Sequence, residues 1–143
     1  MKKSLSLLLR ILVLTAFLFA LLLTTGCGAK DTVAITADPD TYSPLMSSVQ
    51  GITLTPDFET KKDYEELVYR WETEEGGFVG QGKEVTNQGE TVVWSAVEGD
   101  QLTEIEDDFD IKLEVVEGES GKVLATAEIT ITTTDPGFYS IKE

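Results

Sequence analysis

From residue 33 onward, apolar and polar side chains alternate with a period of two in several separate runs. The strictest is Asp108 to Val116, where Phe109, Ile111, Leu113 and Val115 take one side and Asp110, Lys112 and Glu114 the other. Successive side chains of a strand point to opposite faces, so this pattern predicts a strand with one face in a core and one in water. Leu67, Tyr69 and Trp71 alternate with Arg70 and Glu72 in the same way. Val33, Ile35 and Ala37 predict a short first strand, and Gly51–Thr55 (GITLT) a second. Phe78-Val79 begins a short neighbour, and Thr91–Ser95 (TVVWS) is a further strand. Val123, Ala125, Ala127, Ile129 and Ile131 line one face of a long last strand, opposite Glu128, Thr130 and Thr132.

The breaks between runs carry turn chemistry. Asp38-Pro39-Asp40 ends the first strand and Pro56-Asp57 the second, because proline has no N–H for a ladder and Asp favours turns. The charged stretch 57–65 accommodates at most a helical turn. Glu117–Gly121 is a hairpin loop, and Asp135-Pro136-Gly137 closes the last strand, leaving 138–143 as a tail. No segment of this region has an amphipathic helical period. About seven strands separated by turns predict an all-β domain, an antiparallel β-sandwich over residues 33–143. Trp71, Trp94, Tyr69 and Phe109 are its expected heavy core residues. For Trp71 and Trp94 the alternative is an exposed aromatic platform for carbohydrate.

The first 26 residues follow a different pattern. Lys2, Lys3 and Arg10 precede Ile11–Leu23, 13 almost wholly apolar residues. That length suits the helical core of a secretory signal peptide and falls short of the roughly 20 residues of a spanning helix. Thr24, Thr25 and Gly26 then lead to Cys27, the only cysteine in the chain. Small residues closing an apolar run directly before a cysteine resemble the lipobox of bacterial lipoproteins. The resemblance implies cleavage between Gly26 and Cys27 and attachment of lipid (palmitate among its acyl chains) to Cys27. Thr24 departs from the pattern, which more often has Leu there. Residues 27–32 are then a short tether, and the domain sits on the extracytoplasmic face of a cell membrane. Gly28 follows the cysteine where an inner-membrane retention signal would have Asp, and a Gram-positive envelope is the favoured setting. An uncleaved anchor helix is the alternative; it leaves the domain on the same side.

A second resemblance rests on Tyr69-x-Trp71-x-Thr73-x-x-Gly76, then Phe109-x-Ile111-x-Leu113-x-Val115, a glycine hairpin and a closing Val/Ile/Thr strand. Together these look like the Ig-like and PKD-like modules of bacterial surface proteins. Glu74-Glu75-Gly76 stands where PKD modules have an Asp-Gly turn, and the cysteine pair of true Ig domains is missing. The resemblance implies an Ig-like sandwich used for adhesion, spacing or ligand display, and it assigns no site residues.

Charge narrows the function. The chain has 26 acidic and 11 basic residues, no histidine, and a formal charge of −15. Cleavage before Cys27 removes three positive charges and no negative ones, leaving −18. Without histidine there is no Ser-His-Asp or Cys-His nucleophile system and no imidazole metal ligand. With so few Lys and Arg, nucleic acid is not an expected partner. Gly77-x-x-x-x-Gly82-Lys83 opens like a phosphate-binding loop, but Glu84 stands where a Ser or Thr must hold Mg²⁺, and no helix follows; nucleotide binding is not expected. No Gly-x-Ser-x-Gly elbow occurs and no carboxylate pair is singled out for glycoside hydrolysis, so the domain is not expected to be an enzyme. Glu104, Glu106, Asp107, Asp108 and Asp110 place five carboxylates within seven positions. Hard cations take six to eight oxygen ligands, so Glu106, Asp107 and Asp108 are candidate ligands for weak Ca²⁺ binding. The expected function is a lipid-anchored, non-catalytic display module that binds an envelope protein or glycan. A Ca²⁺-dependent adhesion module and a small carbohydrate-binding domain are the alternatives.

Overall fold

The computed structural model describes residues 30–142. Gly26, Cys27 and the signal segment lie outside them. The described residues form twelve strands and no helix. In order these are β1 (Thr32–Asp38), β2 (Thr41–Tyr42), β3 (Ile52–Glu59), β4 (Leu67–Thr73), β5 (Gly77–Phe78), β6 (Glu84–Asn87), β7 (Val92–Ser95), β8 (Val97–Glu98), β9 (Gln101–Leu102), β10 (Phe109–Glu117), β11 (Val123–Asp135) and β12 (Phe138–Ile141). One sheet runs β1-β3-β7-β5 and the other β2-β12-β11-β10-β4-β6; β8 and β9 form a small separate ribbon. Every pairing is antiparallel. The domain is an antiparallel β-sandwich. The β3–β7 neighbours in one sheet and the β4–β10 neighbours in the other repeat the inner pairs of the immunoglobulin arrangement.

The core lies between the sheets and is supplied by the alternating positions. Trp71 of β4, Trp94 of β7, Ile52 and Leu54 of β3, and Phe109, Ile111, Leu113 and Val115 of β10 are all buried. The Trp94 ring lies 5.2 Å from that of Phe109 and meets Tyr139 edge-on at 5.4 Å. Such aromatic pairs contribute about 0.5–1.5 kcal/mol each beyond their buried area.

The structure departs from the sequence expectation in four places. β3 does not stop at Pro56 but runs on to Glu59, with Pro56 opposite Ile35. β7 pairs with β3 only as far as Leu54, so Pro56 lies where one side of β3 is an open edge and a missing N–H costs no ladder bond. Residues 57–65 therefore contain no helical turn. The expected tail forms β12, which turns back at Gly137 (φ +77°) and pairs with β11 and β2. The fold also starts earlier than residue 33: Thr32 opens β1, and Asp31 is buried.

The strand directions define two poles. Thr32 pairs with Glu59 at one end of β1, and Asp38 with Thr53 at the other. Seven residues at about 3.3 Å each separate these ends by about 20 Å. The start of β11 belongs to the Thr32 end: Lys30, Asp31, Thr32 and Val33 share a recess of about 350 Å³ with Val123–Thr126. The chain thus enters the sandwich at the pole holding Asp31. The 39–51 loop, the β5–β6 turn and the β8–β9 ribbon lie at the opposite, distal pole.

Candidate functional site

At the entry pole, Asp31 gathers three partners from the segment after β3. Its Oδ1 accepts from Thr60 Oγ1 at 2.7 Å and its Oδ2 from the Tyr64 hydroxyl at 2.5 Å, with Lys62 Nζ at 3.5 Å from Oδ2. The hydrogen bonds from Tyr64 and Thr60, then the Lys62 charge, hold the Asp31 carboxyl below the usual aspartate range. The same contacts raise Lys62, chiefly through the Asp31 charge, and Tyr64, chiefly through its bond to Asp31. Every partner of this carboxylate is accounted for inside the cluster. Its role is to bind the segment that opens β1 to the segment that follows β3.

The acidic stretch 104–110 does not close into a cation site. Among the described residues no group of three or more Asp, Glu, His or Cys side chains is disposed to hold a metal. The strand geometry explains why. Ile105 and Phe109 turn into the core, which disperses the intervening carboxylates. Asp108 accepts from Thr132 Oγ1 at 2.6 Å and pairs with Lys142 at 2.8 Å; those bonds, the Lys142 one foremost, lower its pKa. Asp110 accepts from Thr130 Oγ1 at 2.7 Å. Glu106 and Asp107 are exposed. Glu106, Asp107 and Asp108, the candidate Ca²⁺ ligands, thus form no such group.

Trp71 and Trp94 take the core role expected of them and not the alternative of an exposed platform. Trp71 is 1% exposed and Trp94 is fully buried, so neither ring offers a face to a sugar. Trp94 Nε1 donates to the Glu75 carbonyl at 2.8 Å, whereas Trp71 Nε1 is buried without a hydrogen-bond partner. The glycine motif at 77–83 is a tight turn. Phe78 N donates to Gly82 O at 2.7 Å, and Gln81 N and Gly82 N both donate to Phe78 O. Those N–H groups are consumed within the turn and do not face a phosphate.

What remains is the distal pole. Among the described residues, six large apolar side chains are well exposed: Leu45, Met46, Val49, Val79, Leu102 and Val123. The first five belong to distal-pole segments, and only Val123 lies at the entry pole. Leu45 and Met46, 80% and 77% exposed, sit at the tip of a closed turn. Ser47 N and Met46 N donate to Ser43 O at 2.8 and 3.2 Å, and Ser43 N donates to Ser47 Oγ at 2.9 Å. The buried Ser43 ties this turn to the core, so the two apolar side chains are presented on an ordered backbone.

Beside the turn lies a groove of about 670 Å³, with Pro44, Val49, Val79 and Val97 among its walls and the buried Tyr42 and Phe78 beneath. Glu98 is the only charged residue lining it. Scattered exposed apolar residues are ordinary; of these five, Val49 and Val79 line the groove, and Leu45, Met46 and Leu102 lie outside its lining. A second trough, of about 660 Å³, crosses the outer face of the larger sheet. It is a charged sheet surface, where Lys112 stands between Glu72 and Glu128, and Arg70 opposite Glu114.

Sequence patterning did not single out the distal pole. Its trace was present in Leu45, Met46 and Val49, three apolar residues in a Ser- and Pro-rich loop with no alternating strand around them. No protein-family model, no curated protein and no solved structure matches this chain.

Proposed function

We propose that this protein is a lipid-anchored, extracytoplasmic display module without catalytic activity, held to the membrane through Cys27 and binding a polypeptide partner at its distal pole. The observation that carries this reading is the separation of the two poles. The chain enters at Asp31, four residues after Cys27, while five of the six exposed large apolar side chains belong to the other end. A tether of so few residues spans little more than 10 Å. It keeps the entry pole near the membrane and turns Leu45 and Met46 away from it. The lipobox resemblance at Gly26-Cys27 supplies the anchor, and a Gram-positive envelope is its favoured setting. The excess of carboxylates keeps the domain soluble and off anionic surface polymers. Neither the Ca²⁺-adhesion reading nor the carbohydrate-binding reading has a supporting observation.

The test is fractionation of cells carrying the full chain or its Cys27→Ser variant. The parent chain is expected in the membrane fraction, labelled by a fatty-acid analogue and accessible to protease added to intact cells. Cys27→Ser should lose the label and its processing. A chain that stays in the cytosol, or one whose labelling survives the substitution, overturns the reading.

A further inference from the structure

We infer that the occupant of the distal groove is a cationic, aliphatic polypeptide segment: one or two Leu-like side chains flanked by Lys or Arg. This rests on the display role above; fractionation tests that role and the binding measurement below tests the occupant, so either can fail alone.

Two features of the pole define the occupant. The groove walls combine the apolar Pro44, Val49, Val79 and Val97 with Gln50 and Gln81, and Leu45 and Met46 are held out next to the groove, outside its lining, by the Ser43–Ser47 turn. Aliphatic side chains gain by entering such a groove roughly in proportion to the apolar area they lose to water. Its rim is acidic. Glu98 lines the groove, and exposed Asp40 and Asp100 flank the segments that build the walls. None of these three carboxylates has an ion-pair partner among the described residues. The nearest lysine in sequence to the β5–β6 turn, Lys83, is spent on the Glu74 carbonyl at 2.7 Å and the Glu75 carboxylate at 4.0 Å. An unpaired carboxylate in a wall that also presents Pro44, Val49, Val79 and Val97 is complementary to a basic side chain next to an aliphatic one.

The same features disfavour a second copy of this chain. The apolar turn Thr41–Gly51 contains no charged residue, so inserting it into a neighbour's groove would leave Glu98 unpaired. It would also bring together two strongly acidic domains of formal charge −15 or below. An anionic or purely polar partner fails on the carboxylate or on the apolar wall residues.

The experiment uses the full chain in nanodiscs of zwitterionic phospholipid, with empty nanodiscs as background. The probes are three fluorescein-labelled peptides of equal length: alternating Lys-Leu, Lys-Ser and Glu-Leu. Anisotropy should show the Lys-Leu peptide binding at least about tenfold more tightly than either of the others, a margin of about 1.4 kcal/mol. Glu98→Lys, and separately Leu45→Ser with Met46→Ser, should each weaken it several-fold. Both changes are at exposed positions and leave the core intact. Glu128→Lys, on the outer face of the larger sheet, makes the same charge change away from the groove and should leave binding unaltered. The inference is overturned if Lys-Ser binds as well as Lys-Leu, if Glu128→Lys weakens binding as much as Glu98→Lys, or if the Leu45/Met46 variant binds normally. A disulfide-linked dimer of a Met46→Cys chain in the same nanodiscs would assign the pole to a second copy and overturn it too.

Discussion

The hydroxyls of Tyr42 and Ser95 meet at 3.1 Å in the interior, joining β2 of the larger sheet to β7 of the smaller one. Ser95 Oγ also accepts from Val97 N at 3.0 Å, the residue that begins the β8–β9 ribbon. Removing either hydroxyl therefore has unequal effects. Tyr42→Phe leaves Ser95 with a remaining partner and should cost about 0.5–1.5 kcal/mol. Ser95→Ala strands the Tyr42 hydroxyl and the Val97 N–H together, so its cost should be larger, about 1–3 kcal/mol. Urea denaturation of the two variants checks the order; a Tyr42→Phe loss exceeding that of Ser95→Ala would refute it.

Gly76 adopts φ +64°, and a Cβ there would lie 2.6 Å from the Ser95 carbonyl oxygen and 2.8 Å from Trp94 Nε1. Left-handed backbone disfavours any side chain, and the contact adds to it. Gly76→Ala should destabilise by about 1–3 kcal/mol or more, and should disturb the Trp94 Nε1 bond to the Glu75 carbonyl. A thermal melt followed by tryptophan fluorescence reports both; an unchanged midpoint counts against the geometry.

The two tryptophans should respond differently to replacement by phenylalanine. Trp94→Phe removes the 2.8 Å bond to the Glu75 carbonyl, which then keeps only the Thr73 hydroxyl at 2.7 Å, a loss of about 1 kcal/mol on top of the lost packing. Trp71→Phe loses packing alone and removes a buried donor that has no partner. Trp94→Phe should be the more destabilising. Both rings are buried, so emission of the parent chain should be blue-shifted and insensitive to added saccharides.

Asp31 and Asp108 contribute to the acid limb of stability. Asp31 is held low by Tyr64, Thr60 and Lys62, and Asp108 by Lys142 and Thr132. A carboxyl with a depressed folded-state pKa contributes stability that is present above its ordinary value, near 3.8, and is lost as pH falls through the folded value. Stability should therefore fall as pH drops below the ordinary aspartate range. Asp31→Asn and Asp108→Asn should each flatten that fall while lowering stability at neutral pH. Urea midpoints across the acid range measure it; variants that lose stability as steeply as the parent would exclude the mechanism.

Salt should stabilise the domain. Only three ion pairs within 4.0 Å form among the described residues, against 26 acidic side chains in the chain. Most carboxylates therefore repel one another without local compensation, and the Debye length shrinks from about 30 Å at 0.01 M to about 3 Å at 1 M salt. The melting midpoint should rise with sodium chloride; a flat or falling response would show that the few ion pairs dominate.

Much of this molecule was legible in local pattern. Alternation at Phe109–Val115, Leu67–Trp71 and Val33–Ala37 determined which side chains face the core, because strand geometry sends neighbours to opposite sides whatever the rest of the chain does. Turn residues separated the strands, and the only cysteine stands where a lipobox resemblance ends. Contacts between segments far apart in sequence decided the rest. Pro56 remains inside a strand because β7 stops pairing at Leu54, and the 138–141 segment is a strand because β11 and β2 offer it free edges. The acidic run around Asp107 looked like one site but is dispersed by Ile105 and Phe109 turning inward. The exposed pole, in turn, is assembled from three loops that only the packing of the two sheets brings to the same end. Local sterics set the face of each residue; nonlocal packing sets which faces meet and which remain in water.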